Sequence, residues 1–201
     1  TDIPYSIRQG WERYWLIDPL DGTKEFISKN GEFTLNVALI EQGVPVFGIV
    51  HAPVLATTWV GQVGGEAFKI AQGIYSDIRV RELPAPDEAP WKVVGSRRHG
   101  TEIFEAFCAA LPAHECISMG SSIKLCLVAE GAADLYPRLA PTSEWDTAAA
   151  QAVVTAAGGE VLNALTLEPL RCNQQESVLN PFFIVCGRRD PRWENALRNS
   201  L

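Results

Sequence analysis

The sequence predicts a two-lobed chain of mixed α and β structure, on three observations. Its first third reads as paired strands, its second half alternates strands with helices, and a proline-rich segment unsuited to regular structure lies between them. That segment, Leu83 to Pro90, separates a mainly antiparallel lobe of residues 1–88 from a mixed α/β lobe of residues 89–201.

The elements follow in order. Tyr14-Trp15-Leu16-Ile17 is an apolar run that reads as a buried strand. Pro19 cannot donate to a ladder and Gly22 is free to take a positive φ, so the strand should end in a turn over Asp18-Pro19-Leu20-Asp21-Gly22-Thr23. Residues 33–40 and 45–50 are strands joined at Gly43, and residues 57–60 and 66–70 form a second hairpin around Gly64-Gly65. Beyond the boundary come a strand at 92–95, a helix at 101–111, a strand near 115–118, a helix at 122–130 and a strand at 133–137. A helix at 146–157 is supported by Ala149, Val153 and Ala156/Ala157 on one face, and Gly158-Gly159 stops it. Strands at 160–163 and 182–186 follow, and the polar tail from Arg188 reads as a short helix.

Composition removes several function classes. The 47% hydrophobic content is that of an ordinary globular chain, and no apolar stretch approaches the ~20 residues that span a bilayer. A formal charge of −7 argues against a nucleic-acid polymer as partner. It does not argue against a small phosphorylated ligand, because bound cations reverse the local sign. The five cysteines, Cys108, Cys116, Cys126, Cys172 and Cys186, show no CxxC or other metal spacing and read as reduced, mostly buried thiols.

The residues that carry chemistry are carboxylates. Asp18 and Asp21 flank the first turn and can point into one space, where two close carboxylates repel unless a cation sits between them. Oxygen ligands without nearby His or Cys suit Mg²⁺ or Mn²⁺. Gly22 and Thr23 offer amides and a hydroxyl to a phosphate. Asp146 stands where the 146–157 helix begins and reads as its N-cap. Taken alone, a plain Asp-Pro-x-Asp-Gly turn and a plain helix cap are the better explanations of these residues. Gly120-Ser121-Ser122 opens the 122–130 helix, where a serine caps and an anion could sit on the free N–H groups with Lys124 reaching in from the first turn. Arg138 ends a strand, and His99 reads as a surface histidine after Arg97-Arg98. Trp11, Trp15, Trp91 and Trp145 read as packing residues, while His51 and His114 show no partners that suggest catalysis.

Taken together, Asp18-Pro19-Leu20-Asp21-Gly22-Thr23 and Trp145-Asp146-Thr147-Ala148-Ala149 closely resemble the paired signatures of the inositol monophosphatase superfamily of metal-dependent phosphatases. Lys24-Glu25-Phe26, Val94 to His99, Gly120 to Lys124, Glu130-Gly131 and Leu135 to Arg138 narrow the resemblance to the bacterial 3'(2'),5'-bisphosphate nucleotidases, over the chain from about Trp11 to Phe183. The resemblance implies a layered α-β-α-β-α sugar-phosphatase fold in which the two aspartate segments meet. It implies two or three Mg²⁺ ions, with Mn²⁺ as a substitute, bridged by Asp18 and completed by the Leu20 carbonyl, Asp21 and Asp146. Thr23 would orient the attacking water, and the Gly22 and Thr23 amides would grip the phosphate beside Leu20, Asp21 and Asp146. Ser96, His99, Gly120, Ser121, Lys124 and Arg138 would hold the rest of a nucleoside bisphosphate.

The implied reaction is removal of the 3'-phosphate of adenosine 3',5'-bisphosphate, giving AMP and phosphate. An inositol-1-monophosphatase of broader specificity and a noncatalytic metal- or nucleotide-binding module are the alternatives. The resemblance further implies two helices and a metal-ligating Glu-Glu segment upstream of the first strand. Glu12, directly before Arg13-Tyr14-Trp15, is not read as that ligand. A cytoplasmic enzyme, free or held at the inner face of the inner membrane, as monomer or homodimer, fits the same resemblance.

Overall fold

The structure is a computed structural model that describes residues 3–85, 87–95 and 101–201. After a single turn of helix, α1 (Tyr5–Arg8), six strands form an antiparallel meander in chain order: β1 (Arg13–Asp21), β2 (Thr34–Glu41), β3 (Val44–Ala52), β4 (Thr57–Gln62), β5 (Ala67–Ala71) and β6 (Ile74–Asp77). A short helix, α2 (Thr23–Ile27), follows β1. Gln42-Gly43 and Gln72-Gly73 all have positive φ, the backbone twist that closes a two-residue hairpin without splaying its strands. Period-2 alternation sets the faces: Thr34, Asn36, Ala38 and Ile40 of β2 are buried while the residues between them face outward.

The second sheet is mixed, in the order β10 (Glu160–Asn163), β11 (Phe183–Cys186), β9 (Leu135–Arg138), β7 (Trp91–Gly95) and β8 (His114–Ser118), with β7 parallel to both β8 and β9. Four further helices stand among the described residues: α3 (Glu102–Ala109), α4 (Ile123–Ala129), α5 (Glu144–Ala156) and α6 (Pro191–Ser200). α4 and α5 fill the space between the sheets, around a core that includes Ala38, Val50, Trp59, Val153 and Phe183. α3 and α6 close the far face of the second sheet over Trp91, Phe107, Ile184 and Trp193. The expected mixed architecture is thus present, and the described residues build the implied layers from the first sheet onward.

The depth at which α5 lies is fixed by two glycines. A Cβ on Gly48 would stand 2.0 Å from the Ala149 carbonyl oxygen, and one on Gly61 would stand 2.5 Å from Val153 Cα. Only hydrogen on these strand residues lets the helix backbone rest on the sheet, where Ala148, Ala149 and Ala152 present small faces.

Several expectations need correction. β1 does not end before Pro19 but runs through Asp21. It is not buried as a whole, because Trp15 and Ile17 are 57% and 56% exposed, and only Tyr14 and Leu16 pack against the core. Trp11 is exposed too, whereas Trp91 is a core residue. α5 begins at Glu144 with Ser143 as N-cap, which moves Asp146 from the cap to the third helical position. α1, α2 and β6 were not anticipated, since elements of four or five residues carry too little periodicity to read. Among the described residues no helix is long and apolar enough to cross a membrane.

Candidate active site

Asp18 and Asp21 are three residues apart on one strand, a spacing that normally places side chains on opposite faces. A bulge reverses this. Asp18 pairs with Asn36 and Asp21 with Thr34, so Pro19 and Leu20 oppose the single residue Leu35. The extra residue brings both aspartates to the inner face of the sheet, and Pro19 withdraws no ladder hydrogen bond there because the ladder is already interrupted. Asp18 Oδ1 accepts from the Leu20 N–H at 3.0 Å, which holds the bulge closed.

Asp146 reaches the same place from α5. Its Oδ2 accepts from the Ser143 N–H at 2.7 Å in a capping box. Asn180 steadies the entry to that helix through the Ser143 carbonyl and the Thr142 and Thr147 hydroxyls. Oxygens of Asp18, Asp21 and Asp146 consequently lie within 4.8 Å of one another. Asp21 is anchored separately: its Oδ2 accepts from the Ser122 N–H at 2.6 Å, and the Ser122 hydroxyl lies 2.7 Å from Thr34 Oγ1 and 2.7 Å from Asn36 Oδ1.

A cavity of about 230 Å³ adjoins the carboxylates, its wall including Asp21, Asp146, Ser121, Lys124, Tyr136 and Arg138. Lys124 is only 8% exposed, with its ammonium 5.5 Å from the centre of the Tyr136 ring. Burial lowers its pKa to about 8, Asp21 pulling the other way. Arg138 Nη2 donates to the Pro141 carbonyl at 3.0 Å, but its Nε and the Ser121 hydroxyl are buried without a partner among the described residues. Ser121 adopts a left-handed backbone (φ 47°) opposite Gly22, itself left-handed at the start of α2 (φ 88°).

Of the residues singled out in the sequence, Leu20 sits in the bulge, Gly22 and the exposed Thr23 open α2, and Ser121, Lys124 and Arg138 line the cavity. Gly120 departs from expectation, since its N–H is committed to Glu32 Oε2 at 2.8 Å. The Ser122 side chain does not cap α4, and its N–H serves Asp21 instead of an anion. Ser96 and His99 lie outside the described residues. Sequence reasoning missed Glu32, Thr34, Asn36 and Asn180, which act across 33 to 88 residues of chain, beyond any local pattern.

The sequence profile described as the inositol monophosphatase family matches residues 3–181. The chain belongs to that family. Among its relatives, the 3'(2'),5'-bisphosphate nucleotidase CysQ of Salmonella typhimurium is 50% identical over 181 residues, which are 90% of this chain and 71% of that protein. The Escherichia coli K12 protein of the same name is 48% identical over the same shares. The crystal structure of CysQ from Bacteroides thetaiotaomicron, a bacterial member of the inositol monophosphatase family, superposes with a TM-score of 0.84 at 42% identity, covering 94% of this chain and 75% of its own. The chain is accordingly an enzyme of a metal-dependent phosphatase family.

The carboxylates suit a hard divalent cation. Burial raises the Asp18 pKa from its ordinary value, with Asp146 adding to the rise. Burial, then the nearby Asp146, pushes Asp21 up to about 6. Carboxylates drawn this close together are relieved of their mutual repulsion when a cation stands among them. Because the ion must displace the Asp21 proton, its apparent affinity should fall as pH drops through about 6, by about tenfold per pH unit for one proton released. Calorimetric Mn²⁺ titrations on either side of that pH measure the effect. An affinity that stays level across it would remove Asp21 from the ligand set.

Proposed function

We infer that the protein is a Mg²⁺-dependent phosphomonoesterase that hydrolyses the 3'-phosphate of adenosine 3',5'-bisphosphate, yielding AMP and phosphate. The observation that carries this reading is the joining of two unlike surfaces in one cavity. Three carboxylates suited to cations meet a wall bearing Lys124, Arg138 and a Ser121 hydroxyl with no partner among the described residues, donors suited to an anion. A bisphosphate has one phosphate for each.

Asp18, Asp21 and Asp146, with the Leu20 carbonyl, would hold Mg²⁺. Bound divalent ions supply charge neutralisation at the phosphoryl group and a nucleophile at neutral pH. The chain's own residues do the rest. The Gly22 and Thr23 amides, at the start of α2, would bind phosphoryl oxygens, and the Thr23 hydroxyl would orient water and accept or relay its proton toward the carboxylates. Lys124 and Arg138 would hold the 5'-phosphate, fixing which end of the substrate faces the carboxylates. Ser96 and His99 are proposed to complete the nucleoside side. The CysQ relatives, named as nucleotidases, support the substrate class. Phosphate release from adenosine 3',5'-bisphosphate, dependent on Mg²⁺, tests the reading, and absence of release in the metal-loaded protein would overturn it.

Lys124→Met keeps the buried stem and removes the charge. A charge-assisted hydrogen bond is worth about 1.5–3 kcal/mol, so kcat/KM for adenosine 3',5'-bisphosphate should fall ~10- to 150-fold. Inositol 1-phosphate, which has no second phosphate, should be little affected. Equal losses on both substrates would make Lys124 structural, and a wild-type preference for inositol phosphate would replace the nucleotidase reading.

A further inference from the structure

Cys108, His114 and Cys116 have no familiar metal spacing in the sequence, yet the fold draws them together. His114 and Cys116 are alternate residues of β8 and therefore point to one face of that strand. Cys108 lies in the last turn of α3, which the connection through Pro112 folds back over the strand. A ring nitrogen of His114 and the two Sγ atoms lie within 4.8 Å of one another. We propose that these three residues form a second metal site, for a thiophilic divalent cation of the zinc type, which fastens α3 to β8.

The donor set is the opposite of that at the aspartates. Two sulfurs and an imidazole favour zinc-like ions over Mg²⁺, so the two sites sort metals by ligand chemistry. His114 Nδ1 lies 2.9 Å from the Pro112 carbonyl oxygen. An Nδ1–H donated there fixes the tautomer and leaves the Nε2 lone pair as ligand, the arrangement in which a second hydrogen bond orients a metal-binding histidine. Binding converts two thiols to thiolates and releases two protons, so two negative charges cancel the ion's two positive ones. The neutral unit suits a place that grades from buried Cys108 to exposed Cys116. β8 is the edge strand of its sheet, so an ion reaches the site from solvent and a fourth position stays open to water. Burial and the adjacent Cys116 push the Cys108 thiol up to about 12, which keeps that buried sulfur protonated without metal. Cys126, Cys172 and Cys186 are each buried elsewhere and take no part. The clip has a functional address, because α3 follows directly on the 96–100 segment that carries Ser96 and His99.

The test is titration of the protein with Co²⁺, under argon with a phosphine reductant and excess Mg²⁺ covering the carboxylates. One equivalent of Co²⁺ should give thiolate-to-cobalt charge-transfer absorption, which Zn²⁺ then abolishes by displacement. Cys108→Ser and Cys116→Ser should each remove the two-thiolate spectrum, and exposed Cys116 can be exchanged without disturbing the core. His114→Ala should weaken binding by about 10-fold or more, at least the loss typical of an outer-shell partner. Asp146→Asn should leave the spectrum unchanged. Absence of the band, its survival in Cys116→Ser, or its loss in Asp146→Asn would each overturn the proposal.

Discussion

Asp18→Asn should leave the protein folded and lower phosphatase turnover by about 10³-fold or more at saturating Mg²⁺. The amide keeps the shape of the carboxylate and keeps an oxygen for the Leu20 N–H, so the bulge survives. What it loses is a negative charge at the point where three carboxylates converge within 4.8 Å. Losing the metal contribution to the transition state costs several kcal/mol, which sets the expected factor. The stability effect has the reverse sign. Asp18 is 8% exposed, and both burial and Asp146 disfavour its ionised form. Without metal, the variant should melt no lower than the parent, while the rise in Tm on adding Mg²⁺ should shrink or vanish. Turnover above a tenth of the parent, with the Mg²⁺-induced rise intact, would exclude Asp18 as a metal ligand.

The largest stability loss is expected at a residue with no side chain. Gly48→Ala places a methyl 2.0 Å from the Ala149 carbonyl oxygen and 2.9 Å from Ala149 Cα. Both atoms belong to the α5 backbone, so no side chain can swing aside. Either the helix lifts from the sheet or the strand bows, and overpacking of a rigid core costs about 3 kcal/mol or more in such a case. Asp146 lies one turn before Ala149, so lifting the helix also withdraws one of the three carboxylates from the other two. Denaturant unfolding should show the loss, and calorimetry should show weaker Mg²⁺ binding at temperatures where the variant is still folded. Gly10→Ala, whose new methyl meets nothing within 4 Å, is the control and should stay within about 0.5 kcal/mol of the parent. A Gly48→Ala protein as stable as that control would mean that α5 does not depend on this close approach.

The sequence made the strands and helices legible wherever apolar periodicity ran for a turn or more, and it made the aspartates legible through their motifs. It read the geometry between them less well. Pro19 announced a break in β1 but not its kind, since a turn and a bulge use the same residues, and only the partner strand shows that Leu35 stands opposite two residues. Ser143 and Asp146 already spelled a capping box, yet aspartate's own preference for the cap drew the helix start two residues too far along. Trp15 and Ile17 looked buried because residue type says how apolar a face is, not whether anything covers it. Glu32 on the Gly120 amide, and Thr34 and Asn36 on Ser122, join segments 86 to 88 residues apart, and no window of sequence contains both partners.

The cluster of Thr34, Ser122 and Asn36 also decides how many lone pairs the carboxylates keep. Each hydroxyl owns one hydrogen. Ser122 gives its own to Asn36 Oδ1, so the Thr34 hydrogen is shared between the Ser122 oxygen at 2.7 Å and Asp21 Oδ2 at 3.5 Å. The nearer oxygen takes the larger part of it, so Thr34 makes only a long contact with Asp21. Asp21 therefore receives one short hydrogen bond from this cluster, the Ser122 N–H at 2.6 Å. The direction in which three buried hydrogens point keeps Asp21 electron-rich toward the cavity, free to accept an ion where a neighbouring hydroxyl would otherwise have satisfied it.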